Sequence, residues 1–212
     1  MTRVEVAGGE NVLSEEIVGV ARDLIAEKGL AALSMRAIAE RVGVSAPALY
    51  HYFDGKDALV ARVVQTAFAR FGEYMEHAMR SHPPGSFERV RALGEAYMTF
   101  ALENLASFRV IFSIQVPHPR DLEDLPGGGG YPLLRRTVIE AMESGAMRPG
   151  DPDLASLYLW SMVHGLVTLV LACRVEGCQE GGSGTPSPQD LLRRFQPFLM
   201  NGLMVPTDSN EG

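Results

Sequence analysis

The 212-residue chain has two cysteines, Cys173 and Cys178. Two thiols make no disulfide framework, and no further cysteine or nearby histidine gives them zinc-ligand spacing, so they read as free thiols. A basic excess is also missing: 19 Lys and Arg stand against 26 Asp and Glu, a formal charge of -7. That argues against a general nucleic-acid coat protein or a binder of anionic membranes, both of which rely on a positive field, and leaves room only for a small local footprint. The opening residues "MTRVEVAGGENV" have no unbroken apolar run of the signal-peptide kind, so a reducing cytoplasm is expected.

Catalytic patterns are absent as well. No Ser/His/Asp set, paired carboxylates, metal-ligand spacing or nucleotide loop emerges. His77 and His82 straddle an expected helix end, Asp121, Glu123 and Asp124 sit in a loop, and the glycines at 127–130 are not followed by the Gly-Lys-Ser/Thr of a phosphate loop. Neither an enzyme nor a cofactor or metal is expected, and a helical enzyme is the alternative that these absences weigh against.

Strand alternation is nearly absent too, and apolar residues recur at helical spacing almost throughout, which predicts an all-α protein. Ser14 reads as the N-cap of a first helix whose stripe is Ile17, Val20, Ala21, Leu24 and Ile25, closing near Gly29. Ser34 caps a second helix that ends at Gly43. Ser45 caps a third, with Pro47 in its first turn, running to about Phe53. Asp54 is the expected cap of a long fourth helix reaching about Ser81, a rod of about 40 Å at 1.5 Å per residue. "SHPPGS" is a joint; helices follow over about 87–104, 107–115 and 133–144, a long one starts at Asp151-Pro152, and Ser187 to Asp190 opens a last one that Pro197 should kink or unwind.

The stretch "LASLYLWSMVHGLVTLVLAC", 154–173, holds twenty residues without a formal charge, long enough to span a bilayer. Ser156, Ser161, His164, Gly165 and Thr168 inside it favour burial in protein or at a subunit interface over a membrane anchor.

Function concentrates in "AERVGVSAPALYHYFDGKDALV", 39–60. Small Ala39, Gly43 four residues later where a turn can demand positive φ, and Leu49 six beyond form a helix-turn-helix pattern. On the third helix Leu49 and Phe53 point inward with Tyr52 flanking, while Ala46, Pro47, Tyr50 and His51 share the outward side. Small side chains at 46 and 47 permit close approach to a major-groove floor. Tyr50 and His51 carry hydrogen-bonding tips, and Ser34 and Ser45 mark helix N-termini able to hold phosphate. Lys56 beside a helix N-terminus is mildly unfavourable, and a phosphate partner would reverse that sign. Arg36, Arg41 and Lys56 against Glu40 and Asp54 give this segment +1 in a -7 chain.

"LSMRAIAERVGVSAPALYHYFDGKDALV", 33–60, resembles the DNA-binding domain of the TetR family of transcriptional regulators, with a match over about 12–63; "LWSMVHGLV" resembles a Trp-x-x-x-His-Gly motif of one C-terminal class in that family. The resemblance implies a nine- or ten-helix homodimer. It implies a three-helix DNA-binding domain, 12–57, joined by a long helix to a ligand-binding and dimerisation domain, 58–204. It further implies that a bound small molecule weakens the grip on a palindromic double-stranded DNA operator. By position, Ala46, Pro47 and Tyr50 match base-reading sites, and Tyr50, Tyr52 and Lys56 match phosphate-contacting ones; Ser34, Arg36, Ser45 and His51 complete the expected DNA face.

A helical sensor must also line a pocket, and methionine with aromatics makes an adaptable apolar wall. Tyr97, Phe100, Phe112, Trp160 and His164 are the residues expected to line it. Trp160 and His164, at i and i+4, read first as a packed core pair. Gly165 in mid-helix suggests close approach of another helix in the core or at the dimer seam. The last two helices are the expected dimer interface, with no membrane partner.

Overall fold

The computed structural model describes residues 4–112, 130–172 and 187–203, with side-chain surroundings for 12–112, 130–172 and 187–198. Both cysteines, most of the proline- and glycine-rich loop and the linker before the last helix lie outside the described residues. Among the described residues every regular element is helical. They form two compact units: one holds the described residues of Met1–Arg70 and Asn104–Asp121, the other those of Phe71–Glu103 and Leu122–Gly212.

The first unit contains α1 (Val4–Lys28), a 3-10 turn (Leu30–Ala32), α2 (Met35–Val42), α3 (Ala46–Leu49), the opening of α4 (Lys56–Met79) and α6 (Leu105–Ile111). α1 packs on α2 and α6, and α2 packs on α3. The expected stripe of α1 is buried at Ile17, Ala21, Leu24 and Ile25, and the helix closes where the Gly29 N–H donates to the Ile25 carbonyl at 2.9 Å. α1 begins upstream of Ser14, which lies inside it rather than at its cap. No proline interrupts residues 4–13, and the glycines there weaken a helix by only about 1 kcal/mol each.

The turn between α2 and α3 follows from Gly43. Its φ of 81° is left-handed, and its N–H closes on the Ala39 carbonyl at 2.9 Å, joined by that of Val44 at 3.0 Å. A Cβ at Gly43 would meet nothing within 4 Å. Glycine is therefore required by the backbone conformation and not by space.

α3 is shorter than its expected span to Phe53. After Leu49 the chain tightens: Tyr50, His51 and Tyr52 donate to the carbonyls three residues back at 3.0–3.3 Å, and Phe53 returns to Leu49 at 3.0 Å. Such a 3-10 ending satisfies the last carbonyls while keeping the side chains on their helical faces. The cap of α4 also sits one residue later than expected, because the Gly55 carbonyl accepts from the Leu59 N–H at 3.1 Å.

The second unit contains α4 from Phe71 onward, α5 (Phe87–Glu103), α7 (Tyr131–Glu143), α8 (Pro152–Leu171) and α9 (Pro188–Leu203), with α5 contacting α7, α8 and α9. Phe87, Val90, Val138, Ala141, Met147 and Ala155 form one core cluster. The Asp151 carboxylate caps α8 by accepting the N–H groups of Asp153 and Leu154 at 2.8 and 3.2 Å. Ser187 and Asp190 form the expected reciprocal box at the start of α9, at 3.1 and 3.3 Å. Pro197 lies within α9 without ending it. It is exposed, so the carbonyl that loses its N–H partner there can meet water.

Candidate functional site

Burial sorts the helix-turn-helix as the periodicity predicts. Ala39, Leu49 and Phe53 are buried and Leu49 is fully enclosed. Pro47, Tyr50 and His51 are exposed, Ala46 and Tyr52 half-buried, and Tyr50 keeps 55% of its surface. Ser34 uses its hydroxyl to accept the Ala37 N–H at 3.1 Å, whereas Ser45 occupies the N-cap of α3 without a side-chain bond.

The local charge differs from the count within the segment. Arg41 is engaged by Glu27 of α1 through two hydrogen bonds, 3.1 and 3.2 Å, and the guanidinium holds the Glu27 carboxyl below its usual range. With Glu27 included, the +1 of residues 34–56 becomes zero. Exposed Arg36 and half-buried Lys56 remain as the cations that Glu27 does not answer. Lys56 donates one N–H to the Leu30 carbonyl at 3.0 Å, which offsets its poor position at the start of α4. An ammonium has three donors, so two directions remain.

In the second unit the structure brings together Tyr97, Phe100, Trp160 and His164. Tyr97 and Phe100 are buried, Trp160 and His164 half-buried. Phe112 falls in the first unit, where its ring centroid lies 4.7 Å from that of Phe108. Three residues that sequence reasoning missed join the cluster. Phe71 meets Tyr97 edge-on at 5.5 Å and Phe100 at 5.0 Å, Tyr74 meets Phe100 at 5.4 Å, and Tyr131 lies 5.8 Å from Trp160. The spacing Phe68, Phe71, Met75 on α4 was the available signal for Phe71, and it reads equally well as ordinary core.

A polar seam runs through these rings. The Tyr97 hydroxyl lies 2.7 Å from His164 Nδ1, and Trp160 hydrogen-bonds the same hydroxyl. An indole can only donate, so the phenol oxygen accepts from Trp160, while the direction of the Tyr97–His164 bond is set by the imidazole tautomer. Burial pushes the Tyr97 phenol well above its ordinary range, with Trp160 opposing. Burial also lowers the His164 imidazole from 6.5. The Trp-x-x-x-His spacing thus holds two groups one helical turn apart where a single tyrosine, 67 residues upstream of the histidine, meets both.

This predicts a pH effect. His164 has a lower pKa folded than unfolded, so below about 6.5 the unfolded chain binds more protons. Its contribution to stability is fully present above that pH and is lost as pH falls through the folded value. Urea unfolding, followed through Trp160 as the sole tryptophan, should lose stability faster between pH 7 and 5 in the natural chain than in His164→Asn. Parallel curves would refute it.

α8 is long and apolar enough to cross a membrane by length and composition, with mean hydropathy 1.7, and 28% of that window is buried within the chain. Burial inside the chain therefore accounts for little of it: Leu154, Leu157, Tyr158 and Leu169 are exposed, as are Phe195 and Phe198 on α9. Among the described residues a Cβ at Gly165 would meet nothing within 4 Å, so close approach of another described segment does not explain that glycine. Among the described residues no group of three His, Cys, Asp or Glu is placed to hold a metal ion.

Comparison with known proteins agrees with this geometry. A sequence model of the tetR family of bacterial regulatory proteins matches residues 17–63, and one of the tetracyclin repressor-like C-terminal domain matches 90–184. The HTH-type transcriptional repressor KstR2 of Rhodococcus jostii is 35% identical over 69 residues, 32% of this chain and 34% of that protein. The HTH-type transcriptional activator FasR of Mycolicibacterium smegmatis is 30% identical over 97 residues, 46% of this chain and 44% of that protein. The chain thus matches about a third to under a half of the length of these relatives. The crystal structure of the TetR family regulator PfmR of Thermus thermophilus superposes with a TM-score of 0.68 at 23% identity, over 89% of this chain and 96% of that one, a likeness of fold. With both ends of the family pattern matched and the all-helical fold shared, the chain belongs to the tetR family of bacterial regulatory proteins.

Proposed function

We propose that this protein is a ligand-responsive transcriptional regulator, a repressor that binds a palindromic operator as a homodimer in the cytoplasm and is released by a small apolar effector. The observation that carries the reading is the division of α3 and the turn after it. Leu49 and Phe53 lock the segment to the core, and Ala46, Pro47, Tyr50 and His51 are left facing outward. Small residues at the front of a short helix followed by hydrogen-bonding tips suit entry into a major groove. Ser34, Arg36, Ser45, Tyr52 and Lys56 are the flanking groups for phosphate. Repression is the sense of regulation named for KstR2; FasR is named an activator.

The dimer forms through α8 and α9, whose exposed Leu154, Leu157, Tyr158, Leu169, Phe195 and Phe198 are the surface a second copy would cover. Two recognition helices would then meet successive major grooves about 34 to 36 Å apart. The effector binds at the cluster of Tyr97, Phe100, Trp160 and His164. α4 begins at Lys56 beside the DNA face and carries Phe71 in that cluster, so a displacement of the helix serves both. Coupling of about 1 to 3 kcal/mol would raise the operator dissociation constant roughly 5- to 150-fold.

Fluorescence anisotropy of the purified protein on the intergenic DNA beside its own gene, titrated against scrambled competitor, tests the reading. Specific, salt-sensitive binding is expected, as is a dimer soluble without detergent. No preference over competitor would count against regulation at that locus, and a requirement for detergent would turn α8 into a membrane anchor.

A further inference from the structure

Outside the aromatic cluster, the second unit carries an open groove of about 670 Å³ between the C-terminal half of α4 and α5. Its volume is that of a small-molecule site. The floor is made of small side chains, Ala92 and Ala96, both buried. The Tyr74 ring forms part of one wall, and the rim carries Glu73, Glu76 and Glu95 against one guanidinium, Arg80, and two imidazoles, His77 and His82. Glu73 and Glu76 are exposed. Glu95 is the committed member of the three, accepting from Gln196 Nε2 at 3.3 Å and lying 3.9 Å from Arg91.

We infer that this groove is a second binding site and that it takes an organic cation, an ammonium or amidinium carried on a flat apolar body. Alanines on the floor leave room for that body. An aromatic wall attracts a cation through its ring face, and with Glu95 answered by Arg91 the exposed Glu73 and Glu76 are the carboxylates that favour a cation over an anion. The site differs in chemistry from the cluster around Tyr97, where the seam is built from neutral hydrogen-bonding groups. It is not isolated from that cluster: Tyr74 meets the Phe100 ring at 5.4 Å and Phe100 meets Phe71 at 5.0 Å, so an occupant of the groove presses on the same rings. The inference needs neither operator binding nor the effector reading to hold.

Titration calorimetry of the full chain with benzyltrimethylammonium, benzyl alcohol and benzenesulfonate tests it. The cation should bind, the neutral analogue at least tenfold more weakly, and the sulfonate not measurably. Glu73→Gln with Glu76→Gln should weaken the cation about tenfold, since each exposed pairing is worth up to about 1 kcal/mol. Both substitutions are on the surface, and a matching thermal melt checks that the variant folds. Tyr74→Leu should cost about two- to fivefold and Tyr74→Phe nothing, because the ring and not the hydroxyl makes the contact. Equal affinity for cation and neutral analogue, unchanged affinity in the double variant, or no heat from the cation up to millimolar concentration would each overturn the assignment.

Discussion

Phe100→Ala is expected to lower the unfolding free energy by about 3 to 5 kcal/mol, a large share of what a domain of this size holds. Phe100 has no exposed surface, and its ring meets Phe71 at 5.0 Å and Tyr74 at 5.4 Å in tilted and edge-on arrangements. Such pairs contribute about 0.5 to 1.5 kcal/mol each beyond the area they bury. Truncation removes both contacts and leaves a hole between two helices whose positions are fixed elsewhere. Chemical denaturation should therefore give a lower midpoint at an unchanged slope. The stability of Phe100→Leu, which keeps most of the volume, should fall between the two. A loss under about 2 kcal/mol for the alanine variant would mean that the surrounding helices collapse onto the hole, and that Phe100 is a replaceable lining residue and not a keystone of the cluster.

That result also bears on how far the sequence could be read. Caps and breakers placed most helices to within a few residues, because Ser34, Asp151 and Ser187 act through atoms two or three positions away. The helix-turn-helix was legible for the same reason: Ala39, Gly43 and Leu49 are close in sequence, and the left-handed φ of Gly43 is a local demand. What stayed hidden depends on chain segments meeting from afar. Nothing near Arg41 announces Glu27, fourteen positions earlier. Tyr97 and His164 each fit an apolar lining by residue type, yet their direct hydrogen bond spans 67 positions and has no periodic signature. Phe112 fitted the same aromatic pattern as Phe100, but a break at Asn104 sends α6 into the first unit. The alanine floor of the groove, in turn, reads in sequence only as ordinary helix surface.

Lys56→Ala is expected to weaken operator binding about 30- to 150-fold. The two half-sites of a dimer each lose a charge-assisted contact worth about 1 to 1.5 kcal/mol net. The structure supplies the rival explanation, since Lys56 also donates to the Leu30 carbonyl at 3.0 Å, and losing that bond alone costs about 1 kcal/mol of folding stability. Salt dependence separates the two. A lysine that neutralises phosphate releases counterions, so removing it from both half-sites should reduce the slope of log affinity against log salt by about 2. A purely structural lysine would leave that slope unchanged. Tyr50→Phe provides the matched control: its exposed hydroxyl would lose a neutral hydrogen bond, lowering affinity without altering the slope. An unchanged slope for Lys56→Ala, with an affinity loss that tracks its thermal melt, would reduce Lys56 to a tie between α4 and the turn at Leu30 and leave Arg36 as the cation of this segment available to phosphate.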